Sequence, residues 1–227
     1  MDKRLGMVII LFVTLILTSC SSESPTIEST EATIISSETT AEITEMLTEA
    51  PSALNLIKRD SVVDQYMYEL VMSSDGKVVG GFNIWADGDL VRFDLADSGQ
   101  SMYFDYGKKE AYIYITEGNT LMKVPIDTLG NEWESPFIFA SELDDVALSA
   151  MNYKGNETLD GKKCQIFEYD NLGTTATYYV WEEEGLIIKM ILEYEGQPTY
   201  EYYFKNLDIN GNYDKELEIP ADAKLVG

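Results

Sequence analysis

Two thiols, Cys20 and Cys164, are the obvious nucleophile candidates, and the chain has no histidine to activate either. Without imidazole there is no Ser-His-Asp or Cys-His pair, no His-ligated metal and no histidine pH switch. Carboxylates are abundant, with 40 Asp plus Glu. The run Glu182-Glu183-Glu184 ends at Gly185 between two strand-like segments. That places it in a solvated hairpin turn, where nothing raises a carboxyl pKa for acid catalysis. Asp208-Ile209-Asn210-Gly211-Asn212-Tyr213-Asp214 has the oxygen-rich spacing of a calcium loop. However, Tyr213 stands where the loop needs Gly and Ile219 where it needs Glu, so it reads as a turn. Cys164 follows Lys162 and Lys163 at the start of a strand. A free Cys there behaves as a small buried hydrophobe unless a cation lies against the sulfur. The expectation is a non-enzyme, with no catalytic residue, no metal site and no cofactor.

Cys20 sits in a different context. Lys3 and Arg4 precede a 12-residue apolar run from Gly6 to Leu17. That run matches the ~7–15 residues of a signal core and falls short of the ~20 that span a bilayer as a helix. Leu17-Thr18-Ser19-Cys20 follows at once and resembles the lipobox of bacterial lipoproteins. The resemblance implies cleavage between Ser19 and Cys20 and diacylglyceryl attachment to the Cys20 sulfur. Two acyl chains suffice for durable anchoring, whereas one does not. The mature chain then holds a single thiol, Cys164, and no internal disulfide.

From Ser21 to Ala50 the chain carries thirteen Ser or Thr, seven Glu and no Lys or Arg. Such a segment buries too little apolar surface to offset its ordering entropy. It reads as a disordered tether, roughly 30 Å end to end and near 100 Å when stretched. The expected organisation is a signal over 1–19, a lipidated Cys plus tether over 20–52, and a folded domain over 53–227. The formal net charge of −24 divides in the same way. The signal is basic and the tether acidic, and the remainder holds 32 acidic against 14 basic residues. An acidic surface excludes nucleic acid and charge-driven binding to anionic lipid.

Positioning in the folded part falls to strands. Runs rich in Tyr, Val, Ile and Phe recur about every ten residues, each closed by a turn signal such as Asp75-Gly76, Asp87-Gly88 or Asp160-Gly161. Eleven strands are expected, in an antiparallel order because the loops are short. A break over 125–149 contains one short helix with Ser141 as its N-cap. In 186–194 the even positions are apolar, so that face is expected to be the buried one.

The C-terminal half reads Gly155-Asn156-Glu157-Thr158-Leu159-Asp160-Gly161-Lys162-Lys163-Cys164, then Tyr179-Val180-Trp181 and Gly185-Leu186-Ile187-Ile188-Lys189. It closes with Asn206-Leu207-Asp208 and Ile219-Pro220, and the N-terminal half has Ile84-Trp85 and Arg92. This pattern resembles the LolA-like superfamily, the outer-membrane lipoprotein carriers and related bacterial lipoproteins, over residues 54–227. The resemblance implies a mainly β fold: an unclosed half β-barrel of about eleven antiparallel strands with short covering helices. It further implies an apolar concave surface that holds a lipid or acyl chain. Trp85, Phe93, Leu186, Ile188, Met190 and Leu192 are the candidate ligand-lining residues. The expected function is a monomeric, non-catalytic lipoprotein, held by Cys20 on the outer face of the cytoplasmic membrane, or in the outer membrane of a two-membrane cell. The alternative is an envelope sensor or protein-interaction module that docks an envelope protein in the same groove.

Overall fold

The computed structural model describes residues 50–59, 63–126, 135–209 and 211–226. The expected signal, Cys20 and the tether up to residue 49 lie outside the described residues.

Six strands form first: β1 (Gln65–Ser74), β2 (Lys77–Asp87), β3 (Leu90–Leu95), β4 (Gln100–Asp105), β5 (Glu110–Ile115) and β6 (Thr120–Val124). Five more follow: β7 (Asn152–Leu159), β8 (Lys162–Asn171), β9 (Thr174–Trp181), β10 (Leu186–Tyr194) and β11 (Tyr200–Ile209). Tight turns make each set an antiparallel meander, because a short loop can connect only neighbours of opposite direction. The two meanders join where β1 pairs antiparallel with β11, from Tyr66 opposite Ile209 to Ser74 opposite Tyr200. With a further strand, β12 (Lys224–Val226), they form one mainly antiparallel sheet in the order β12-β6-β5-β4-β3-β2-β1-β11-β10-β9-β8-β7. Its two ends do not pair with each other, so the sheet is unclosed. The twelfth strand, β12, lies parallel to β6. At three residues it is too short to show a period in sequence.

Bulges curl the sheet, since an extra residue on one strand bends it and sharpens its twist. They interrupt the β1–β2, β1–β11, β9–β10 and β7–β8 ladders. On the inner face of the bend lie Tyr68, Leu70, Ile84, Phe93, Phe104 and Phe204, all buried. Cross-strand partners share a face, which the register confirms: Tyr68 faces Ile84, Ile84 faces Phe93, and Val91 faces Phe104.

Three short helices cover this face: α1 (Ala53–Leu56), α2 (Pro136–Ser141) and α3 (Asp145–Ala150). The expected single helix capped by Ser141 is corrected here. Ser141 ends α2. The caps are Ser135, whose hydroxyl accepts the Ile138 N–H at 3.1 Å, and Asp144, whose carboxylate accepts the Ala147 N–H at 2.7 Å. Pro136 starts α2 because its missing N–H is not needed in a first turn. The exit from α1 is pinned where the Lys58 N–H donates to the Gly185 carbonyl. Gly185 has φ +67°, and an added Cβ would stand 2.3 Å from the Leu56 carbonyl oxygen. A fourth helix, α4 (Asp214–Leu217), packs on the other face against β2 and β3.

Candidate functional site

The inner trough is aromatic along its length. Phe82 lies 5.4 Å from Phe93, and Phe93 lies 5.6 Å from Phe104. Across the β1–β11 seam, Tyr68 meets Phe204 edge-on at 5.3 Å. Helix α2 then drops two rings into the trough. Phe137 lies 5.0 Å from Tyr66. Phe139 lies 5.6 Å from both Tyr202 and Phe204. Offset and edge-on pairs of this kind add about 0.5–1.5 kcal/mol each beyond their buried area.

Among the described residues, the buried apolar side chains form two clusters. The first combines the β1–β4 residues with Cys164, Leu186, Ile188, Phe204 and Leu207. The second gathers Ala53, Ile57, Ala140, Leu148 and Phe167 with Tyr178, Val180, Ile187 and Met190. Phe139 packs against both. Helix α2 thus occupies the trough between the two clusters.

The six candidate residues do not form one lining. Phe93 sits in the trough, flanked by rings. Met190 and Leu192 belong to the second cluster, opposite Tyr202 and Tyr200 of β11. Leu186 and Ile188 belong to the first cluster. The even-face expectation for β10 therefore needs correction. Ile187 is opposite Val180 and Lys189 is opposite Tyr179, so Ile188 is an extra residue that breaks the alternation. As a result Ile187, an odd position, is fully buried beside Met190 in the second cluster. Trp85 lies on the face opposite the trough, paired with Arg92.

Arg92 explains that outer face. Its guanidinium stands 5.2 Å from the Trp85 ring centre and 5.3 Å from that of Tyr103. It donates two 2.7 Å bonds to the Asp94 carboxylate and a third, also 2.7 Å, to the Glu216 carbonyl. Only a planar fork can stack and bind bidentately at once. Arg92 thus clamps α4 to the sheet. Beside it, Leu90, Leu217 and Ile219 wall a cleft of about 270 Å³ with Tyr103 and Tyr112 among its lining. That is below the ~300–1,000 Å³ of most small-molecule sites.

The polar candidates resolve simply. Cys164 is fully buried, and burial pushes its thiol up to about 11. The Asp208 carboxylate, near the end of β11, accepts the Tyr213 hydroxyl at 2.9 Å. Tyr178 is buried in the second cluster, and loss of solvent pushes its hydroxyl up to about 12, with Tyr169, Tyr194 and Glu142 adding to the shift.

Sequence reasoning missed Tyr66, Phe137, Phe139, Tyr202 and Phe204 as trough residues. The alternation of Tyr66, Tyr68, Leu70 and Met72 along β1 carried the signal for Tyr66. Two phenylalanines in a short Pro-started segment carried none of comparable strength.

No protein-family model matches the chain, and no curated protein is similar to it. Among solved structures the chain is similar to MucB, with a TM-score of 0.47 and 16% identity over 77% of this chain and 62% of that one. It is similar to MucB in complex with MucA(peri), with a TM-score of 0.43 and 15% identity over 72% and 57% of the two chains. It is also similar to a LolA superfamily protein from Nitrosomonas europaea, with a TM-score of 0.33 and 8% identity over 75% and 99%. The chain spans about three fifths of the length of the MucB chains it matches.

Proposed function

We propose that this chain is a non-catalytic envelope lipoprotein, anchored through Cys20, whose curved sheet takes an acyl chain or similar apolar ligand in the position now filled by α2. The observation that carries the reading is Phe139. A single ring from a six-residue helix fills the space between two apolar clusters and contacts both. A helix that short contributes little stability of its own, so its place in the trough depends on those ring contacts. An apolar ligand that offers the same sheet residues an equivalent surface competes with it directly. The anchor holds the domain at its ligand's source, and the tether gives it reach.

The experiment uses the full chain carrying Cys20→Ser, in which no covalent acyl chain can form, so any lipid recovered is bound and not attached. The variant is expected to leave the membrane fraction of the producing bacterium. Organic extraction of the purified protein should yield acyl lipid by mass spectrometry. Retention in the membrane overturns the anchor. Repeated recovery of lipid-free protein that also fails to take up added fatty acid overturns the ligand.

A further inference from the structure

Five exposed apolar side chains of the sheet lie toward one of its ends. The tips of β1–β2, β3–β4, β8–β9 and β10–β11 all point the same way, because alternate turns of a meander share an end. Backbone bonds tie neighbouring tips into one rim. The Asp75 N–H donates to the Thr199 carbonyl, the Glu195 N–H to the Gly173 carbonyl, and the Ala96 N–H to the Gly81 carbonyl. On this rim Leu172 is 92% exposed, Val78 71% and Val79 65%, and Leu95 and Tyr200 are also exposed.

Two of these exposures are built by the backbone. Leu172 and Gly173 have φ of +47° and +84°, the two left-handed centres of a hairpin turn that Asn-Gly normally fills. A leucine there is strained, and at 92% exposure it gains no packing in return. Val79 is the extra residue of a bulge: Ser73 is opposite Val78, and Met72 is opposite Gly80. The bulge lets two consecutive valines face water, where a regular strand would turn one inward.

The rim is also acidic. Asp75, Asp97, Asp170 and Glu195 are exposed there, against Lys77. That balance argues against an anionic lipid surface, which repels carboxylates, and against a second copy of an equally acidic rim. We propose that this rim docks a protein segment that carries aliphatic side chains interleaved with Lys or Arg. The aliphatic side chains cover Leu172, Val78 and Val79, and the cations meet the four carboxylates. This surface is separate from the trough and does not depend on lipid binding there.

The probe is a short synthetic peptide of alternating leucine and lysine, titrated into the full chain and followed by fluorescence anisotropy. The comparison variant is Val78→Ser, Val79→Ser, Leu172→Ser, which changes no charge and touches no core residue, so its Tm should match that of the parent. The parent should bind saturably and protect amides of 75–79, 171–173 and 194–200 from hydrogen exchange. The triple variant should bind at least about tenfold more weakly, since three exposed aliphatic contacts are lost. Equal binding by the triple variant overturns the proposal, as does equal binding of a serine–lysine peptide, because either leaves only net charge. Rim-dependent sedimentation with phosphatidylcholine vesicles overturns it in favour of a membrane. A dimer that the triple variant abolishes overturns it in favour of a second copy.

Discussion

Cys164 and Tyr178 show how one physical effect sets two side chains. Burial disfavours the charged form of each, so both titrate high. With a thiol near 11, Cys164 has almost no thiolate at neutral pH, and thiolate is the reactive species. A maleimide or disulfide reagent should leave the native protein unmodified and label it fully after denaturation. Rapid native labelling would contradict the burial. For Tyr178 the sign follows from linkage. Its hydroxyl titrates near 10 when unfolded and near 12 when folded, so its stabilising contribution is complete below about pH 10 and is lost as pH rises through 12. Stability measured by urea denaturation should fall across that window, and Tyr178→Phe should flatten the fall. An unchanged slope in the variant would assign the alkaline transition elsewhere. The buried state of Cys164 was legible as a general tendency of free cysteines. The position of Trp85 was not. Alternation places it on a face, but the sequence does not say which face is inner, and the Arg92 fork to Asp94 and Glu216 decides that in three dimensions.

At the level of elements, the turns were the most readable feature. Asp75-Gly76, Asp87-Gly88 and Asp160-Gly161 close the hairpins as expected because residues there take positive φ. All eleven expected strands are present for the same reason. Bulges were not readable. The apolar run 186–188 supports alternation equally well with or without an extra residue, and the extra residue moves Ile187 into the core. The helical cover was misplaced because Ser141 and Asp144 are both acceptable caps, and tertiary contact of Phe137 and Phe139 selects a helix before Ser141. Gly185 is where the cover is fastened to the sheet. Gly185→Ala would combine a positive φ with a Cβ placed 2.3 Å from the Leu56 oxygen. The expected cost is about 2 kcal/mol or more, seen as a lower denaturation midpoint with an unchanged m-value. A neutral effect would show that α1 yields freely.

For the folded unit as a whole, the relevant balance is between a continuous aromatic core and a cover made of three short helices. The sheet is unclosed, and its inner surface is apolar from Phe104 to Tyr178. Something must occupy that surface, and in this structure Phe139 does so at the centre. The resemblance read from turn spacing and aromatic placement anticipated the curved sheet. It also implied short covering helices, and α1, α2 and α3 supply them; which side chains of that cover enter the trough was not legible, since a plug and a ligand impose the same apolar pattern on the strands beneath them. In the function proposed above, α2 and an apolar ligand compete for one place. A plug that is weaker leaves a larger fraction of the protein competent to bind, and apparent affinity rises with that fraction. The direct measurement is a titration of the parent chain and Phe139→Ala with a fluorescent fatty acid, alongside urea denaturation of each. Phe139→Ala should be less stable by roughly 2 kcal/mol and should bind the fatty acid more tightly than the parent. A variant that is less stable but binds no better, or a parent and variant that both fail to bind, would rule out competition between α2 and a ligand for the trough.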